Sequence, residues 1–172
     1  MSDTFSICHE RHAPSRQSWR IGRNPRSYDS SLLYHLTGHG VDDHPIFRDD
    51  VDFQDFALRT RRVIRAEGWV CQAACLMDTH YHLLIQPTLG RVSEGMRLLA
   101  GAYARAFNKR HGRRGAVFES RYTERTIRDE QHLVNTIRYI EFNPVTAGAV
   151  ENVEDWPWTT YGDSDFKRCL TP

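Results

Sequence analysis

The chain has 172 residues, 40% of them hydrophobic and 26% charged, and a formal net charge of +1. That length holds one domain with a core of its own and short flanking segments, and the composition is that of ordinary soluble globular chains. No apolar stretch approaches the roughly 20 residues that cross a bilayer, and no apolar signal core opens the chain, so membrane and secreted classes are set aside and a cytoplasmic protein is expected.

Residues 1–30 contain Pro14, Pro25, several serines and five arginines without sustained periodicity, which predicts a poorly ordered basic arm. Residues 32–37 are β-prone and run into Gly38-His39-Gly40, a first strand. A polar loop containing Pro45 follows. From Val51 the spacing of Phe53, Phe56, Ala57, Val63 and Ile64 predicts an amphipathic helix stopped at Gly68. Residues 69–76 form a second strand. The turn Met77-Asp78-Thr79 leads into a third, which closes at Gln86-Pro87. Cys71 and Cys75 are placed on one face of the second strand as two buried thiols, and the four cysteines make no CxxC or zinc-like cluster.

The strongest helical pattern covers residues 92–111. Met96, Leu99, Ala100, Tyr103, Ala104 and Phe107 line its inner face, with Arg91, Arg97, Arg105 and Lys109 outside. Gly112 and Gly115 bracket a basic turn, and residues 117–127 read as a fourth strand. Asp129 can cap a further helix with Leu133, Ile137 and Ile140 inward, ending at Asn143-Pro144, since the residue before proline disfavours the α conformation. The last residues, 151–172, read as an extended tail whose Trp156 and Trp158 pack over the core. The order βαββαβ plus a helix predicts an α+β, ferredoxin-like fold: a four-stranded antiparallel sheet in a domain at 31–150. Its two main helices share one face, leaving the other to a ligand or to the additional C-terminal helix.

On the third strand, alternation puts His80, His82 and Leu84 on one face and Tyr81, Leu83 and Ile85 on the other. Two adjacent imidazoles are half of a divalent-metal site, although paired histidines on a strand are commonly structural. Tyr139 and Asn143 stand four apart on one helix face. If that face covers the histidines, two imidazoles and an amide oxygen meet beside a phenol. Mg²⁺ or Mn²⁺ would use this set, with phosphate oxygens and water completing an octahedron. A phenol with a pKa of about 10 is a poor nucleophile and needs a polarised phosphate as its target. Singly, a helix tyrosine is usually a packing residue and an Asn before Pro usually a helix end.

Charge is unevenly spread. Residues 91–128 hold ten basic residues against three acidic, a segment of +7, which leaves −6 for the rest of a chain of net +1. Such a stripe fits a nucleic-acid surface or a solvated helix face.

At this point the chain resembles a known family. Cys75-Leu-Met-Asp-Thr-His-Tyr-His-Leu-Leu-Ile85, Phe107-Asn-Lys-Arg-His-Gly-Arg-Arg-Gly115 running on to Phe118-Glu-Ser-Arg-Tyr122, Arg138-Tyr-Ile-Glu-Phe-Asn-Pro-Val-Thr-Ala-Gly148 and Asp155-Trp-Pro-Trp-Thr-Thr-Tyr161 are similar, in order and spacing, to segments of REP-associated tyrosine transposases. These are bacterial relatives of the single-tyrosine HUH transposases of small insertion sequences. The resemblance implies that His80 and His82 are metal ligands, Asn143 the third ligand and Tyr139 the nucleophile. It further implies action on single-stranded DNA at palindromic hairpins beside a guide tetranucleotide, through a covalent 5′-phosphotyrosine and a free 3′-hydroxyl. The partner would be single-stranded or hairpin DNA, the cofactor Mg²⁺ or Mn²⁺, the protein a monomer or homodimer at the nucleoid. Two departures stand out: His39-Gly40 occupies a place where the family commonly has Arg-Gly, and the arm before residue 28 matches nothing. Arg105, Lys109, Arg110, Arg113, Arg114, Arg121 and Arg125 are the candidates for phosphate contacts, and an exposed aromatic for base stacking.

Two other readings stay open. One is a non-cleaving DNA or RNA hairpin-binding module derived from a transposase. The other is a zinc hydrolase built on His80 and His82, for which the sequence shows no further His, Cys or Asp nearby to complete a zinc set.

Overall fold

The computed structural model describes residues 28–171. The basic arm therefore lies, but for its last three residues, outside the described residues. Four strands are present: β1 (Tyr34–His39), β2 (Trp69–Met77), β3 (His80–Pro87) and β4 (Thr123–Thr126). Five helices accompany them: α1 (Asp50–Glu67), α2 (Val92–Arg110), α3 (Glu130–Glu141), α4 (Asn143–Thr146) and α5 (Asp165–Leu170). The signals that define the helix ends are chemical. Asp49 caps α1 by accepting from the backbone N–H of Val51 and Asp52, and Asp129 caps α3 by accepting from His132. Gly68 ends α1 at a φ of 62°, a left-handed position that glycine takes without a Cβ clash.

The sheet is antiparallel throughout, in the order β2-β3-β1-β4. Each crossover helix therefore skips a strand: α1 joins β1 to β2 across β3, and α2 joins β3 to β4 across β1. This is the ferredoxin-like, split βαβ arrangement. One sheet face carries the main core, in which Leu36, Tyr81, Leu83 and Ile85 meet Phe56 and Ile64 of α1 and Met96, Leu99, Tyr103 and Phe107 of α2. The other face has a smaller cluster, where Ala73, Cys75, Met77 and Leu84 meet Ile127 and Ile140. Helix α3 is the element that covers this second face. Among the described residues, no helix is long and apolar enough to cross a membrane.

Four details differ from the sequence-based expectation. A β-bulge between Cys71 and Ala73 shifts the register of β2 against β3. One extra residue reverses the alternation, so Cys71 packs toward the main core and Cys75 into the second cluster, on opposite faces. The fourth strand is shorter than 117–127. Residues 117–119 meet the end of β1 through the isolated Gly40–Phe118 bridge, with Val41 N–H donating to the Val117 carbonyl and Glu119 N–H to the His39 carbonyl, and regular pairing begins at Thr123. Val117 is buried and Phe118 packs on the same core, so side chains there do not alternate as in a strand.

The third difference is at Asn143. Helix α3 stops at Glu141, and Asn143 opens the separate turn α4 with Pro144 in its first positions, where a missing N–H costs no hydrogen bond. The fourth is the tail, which is more than an extended segment. Leu76 N–H donates to the Trp158 carbonyl and Thr160 N–H to the Ala74 carbonyl, so the outer edge of β2 is paired rather than open. Trp156 Nε1 donates to the Leu76 carbonyl at 2.9 Å, Trp158 stacks on Phe53, and α5 buries Phe166 and Leu170 against α1.

Candidate active site

Strand pairing decides which side chains meet. In the register of β1 with β3, Thr37 stands opposite His82 and His39 opposite His80, while His35 faces Leu84. In the register with β4, Thr37 faces Thr123 and His35 faces Arg125. Residues directly opposite in an antiparallel pair share a face. One face of the sheet thus displays His35, Thr37 and His39 from β1, His80 and His82 from β3, and Thr123 and Arg125 from β4. With His132, Asn135, Thr136 and Tyr139 of α3 they line an open cleft of about 380 Å³.

Helix α3 brings Tyr139 over the histidines. Its ring lies 5.4 Å from that of His82 and 6.2 Å from that of His35, edge-on to both. The side chain is 52% exposed and so remains open to a ligand in the cleft. Four residues on, Asn143 is buried and its Oδ1 lies 3.2 Å from His80 Nε2. Tyr139 and Asn143 therefore act on the same side of the sheet despite the helix break between them. The four residues singled out by sequence, His80, His82, Tyr139 and Asn143, are brought together.

The ring nitrogens are ordered. His80 Nδ1 lies 3.1 Å from the Thr79 hydroxyl, and its Nε2 faces Asn143. His82 Nδ1 lies 3.0 Å from His35 Nε2, and His82 Nε2 is buried without a hydrogen-bond partner among the described residues. Burial and the neighbouring rings hold these groups neutral. His82 is pushed down to about 2, by burial first and then by His35, His80 and His39. His35 is pushed down to about 4 by burial and by Arg125 and His132. Burial lowers His80 as well.

These residues fit a hard divalent cation. Two ligands at right angles around Mg²⁺, each roughly 2.1 Å away, lie about 3 Å apart, and His80 Nε2 and Asn143 Oδ1 are 3.2 Å apart. His82 Nε2, buried and without a hydrogen-bond partner among the described residues, is a third nitrogen that a cation could use in the tautomer that leaves its lone pair free. Among the described residues, no three His, Cys, Asp or Glu side chains converge as a metal site, so the set on offer is two imidazoles and an amide.

Of the seven basic candidates, Arg125 lines the cleft. With Arg128 and His132 it continues into an adjoining groove along β4 and the start of α3. Arg110 is committed elsewhere: its two terminal nitrogens bind Asp49 and buried Asp52, each at 2.7 Å, and His111 closes on the same Asp52 at 2.8 Å. Arg113 lies over the Phe107 ring at 5.6 Å. Arg105 and Lys109 are exposed on α2, Arg114 on the loop after it, and Arg121 just before β4.

Reading by motif misses three cleft histidines and one arginine of the adjoining groove. His35 and His39 correct the expectation that no further histidine lies near the pair: His39 stacks on His80 at 5.1 Å and His35 contacts His82. The alternation His35-x-Thr37-x-His39, matching His80-x-His82, is the signal that could have pointed to them once β1 was paired with β3. His132 and Arg128 are the other two: His132 stands out in sequence only as a residue near the Asp129 cap, and Arg128 only as the end of the basic stripe.

The model of the IS200-like transposase family matches residues 29–143. A protein of Haemophilus influenzae named as a REP-associated tyrosine transposase is 33% identical over 114 residues, covering 58% of this chain. The chain spans 62% of that relative's length. A solved structure of a REP-associated tyrosine transposase bound to a REP hairpin superposes with a TM-score of 0.64 at 21% identity, covering 88% of this chain and 89% of that one, a likeness of fold.

Proposed function

Since the chain belongs to the family of IS200-like transposases, we propose that it is a single-strand DNA endonuclease and strand transferase of the REP-associated kind, acting at palindromic hairpins with Tyr139 as nucleophile. The observation that carries this reading is the placement of the exposed Tyr139 phenol over His82, on the side where His80 meets Asn143. His80, His82 and Asn143 would hold Mg²⁺ or Mn²⁺. A cation there supplies Lewis-acid polarisation of the scissile phosphate.

The remaining steps fall to the chain's own residues. Arg125 and His132, at the junction of cleft and groove, position the strand through its phosphates. Tyr139 Oη attacks phosphorus and gives its proton to solvent, to which its half-exposed ring is open. The bond from phosphorus to the 3′ oxygen breaks, that oxygen leaves and is protonated, and the 5′ phosphate stays esterified to Tyr139. Attack by a 3′-hydroxyl reverses the step. One phosphoester replaces another at each stage, so rejoining needs no ATP.

The test is a denaturing gel on hairpin oligonucleotides with single-stranded flanks drawn from the chain's own genome. With Mn²⁺ or Mg²⁺ the wild type should yield an SDS-resistant protein–DNA adduct, and Tyr139→Phe none. An adduct that survives in Tyr139→Phe sinks the assignment. Hairpin binding without cleavage, unaffected by EDTA, would instead establish a non-cleaving module.

A further inference from the structure

A neutral imidazole carries one N–H, and the nitrogen that holds it has no lone pair to offer a metal. A histidine that ligates through Nε2 must therefore keep its proton on Nδ1 and needs an acceptor there. Both candidate ligands have a group in that place. For His80 it is the Thr79 hydroxyl, which can accept or donate. For His82 it is a second imidazole: His35 Nε2 lies 3.0 Å from His82 Nδ1, with ring centroids 5.1 Å apart. On its far side His82 presents a buried Nε2 that has no hydrogen-bond partner among the described residues. His35 sits on a central strand, between β3 and β4, so its position is set by pairing on both sides.

We infer that His35 is a positioning residue for the cation site: its Nε2 accepts the Nδ1–H of His82, which selects the tautomer whose Nε2 lone pair is available and fixes the rotation of the ring. This rests on the reading that His80, His82 and Asn143 hold a divalent cation. Neither nitrogen of the contact can be replaced by a passive neighbour, because an apolar residue at position 35 would leave the Nδ1–H of His82 buried without an acceptor. With Nε2 equally without an acceptor, nothing would then select the tautomer that leaves the ligating nitrogen its lone pair.

Two measurements test it on the full chain. Long-range ¹H–¹⁵N correlation spectra of the metal-free protein report which nitrogen of His82 is protonated. Mn²⁺ titration followed by EPR reports affinity without reference to activity. In wild type His82 should carry its proton on Nδ1. His35→Leu should lose that preference and weaken Mn²⁺ binding by about 10–100-fold, the usual cost of removing a ligand's hydrogen-bond partner. His35→Gln, which restores an amide oxygen in the place of Nε2, should recover most of it. Unchanged tautomer and Mn²⁺ affinity in His35→Leu, with wild type binding Mn²⁺, overturn the positioning role alone. A wild type that binds no Mn²⁺ overturns the cation reading and the positioning role with it. Should His35→Leu fail to fold, the wild-type spectrum still decides, since a His82 protonated on Nε2 refutes the proposal.

Discussion

Four imidazoles share one small patch of sheet, and burial with the three rings around it disfavours a charge on His82. The consequence for stability has a definite sign. His82 and His35 titrate near 2 and 4 in the folded chain against an ordinary 6.5. Between pH 6.5 and about 4 the unfolded chain binds protons at these positions that the folded chain refuses, and stability then rises with pH. In EDTA, the urea midpoint should therefore be higher at pH 7 than at pH 5. Replacing both rings, in His35→Gln with His82→Gln, should flatten that difference; an undiminished slope in the double variant would show that other groups carry it. The cysteines give a second residue-scale expectation. Burial raises Cys71 and Cys75 to about 12, so neither holds appreciable thiolate at pH 8. Peptide mapping after brief iodoacetamide treatment of the native protein should find both unmodified, and rapid labelling of Cys75 would contradict its place in the second core cluster.

At the level of single elements, α2 contains two glycines with opposite expectations. Gly95 packs against the Trp69 ring, and a Cβ there would come within 2.3 Å of the ring carbon Cζ2. Gly95→Ala should destabilise by about 1–3 kcal/mol, the range for overpacking. At Gly101 a Cβ would meet only the Arg105 guanidinium, at an ordinary 3.5 Å. Gly101→Ala should stabilise by about 0.5–1 kcal/mol through helix propensity. Chemical denaturation of the pair checks both signs. The same contrast between local and distant causes explains what could be read in advance. The ends of α1 and α3, the His80/His82 alternation and the spacing of Tyr139 and Asn143 are local, written in caps and periodicity. His35 and His39 belong to the site only because β1 pairs with β3, a partner more than forty residues away in sequence. No local pattern states that pairing. The bulge at Cys71–Ala73 and the break before Thr123 are likewise settled by what the opposing strand and core accept.

For the molecule as a whole, charge alone did not separate candidate nucleic-acid contacts from structural ion pairs. The +7 segment contains arginines held in ion pairs and arginines that make none among the described residues. Arg110 is spent holding the end of α2 to Asp49 and Asp52 at the start of α1, whereas Arg125 makes no ion pair among the described residues and opens onto both cleft and groove. The two should behave differently when DNA binding is followed against salt. Each phosphate contact contributes roughly 0.7–0.9 to the slope of log affinity against log salt concentration. Arg125→Ala should reduce the magnitude of that slope for a hairpin with single-stranded flanks by about that amount, with the urea midpoint little changed. Arg110→Ala should do the reverse, because its loss leaves buried Asp52 to His111 and the Arg48 backbone alone. Its urea midpoint should fall and its salt slope should hold. If instead Arg110→Ala flattens the slope while stability holds, the ion pairs at the α1–α2 corner give way to DNA, and the basic surface continues from the cleft around to the far face of the sheet.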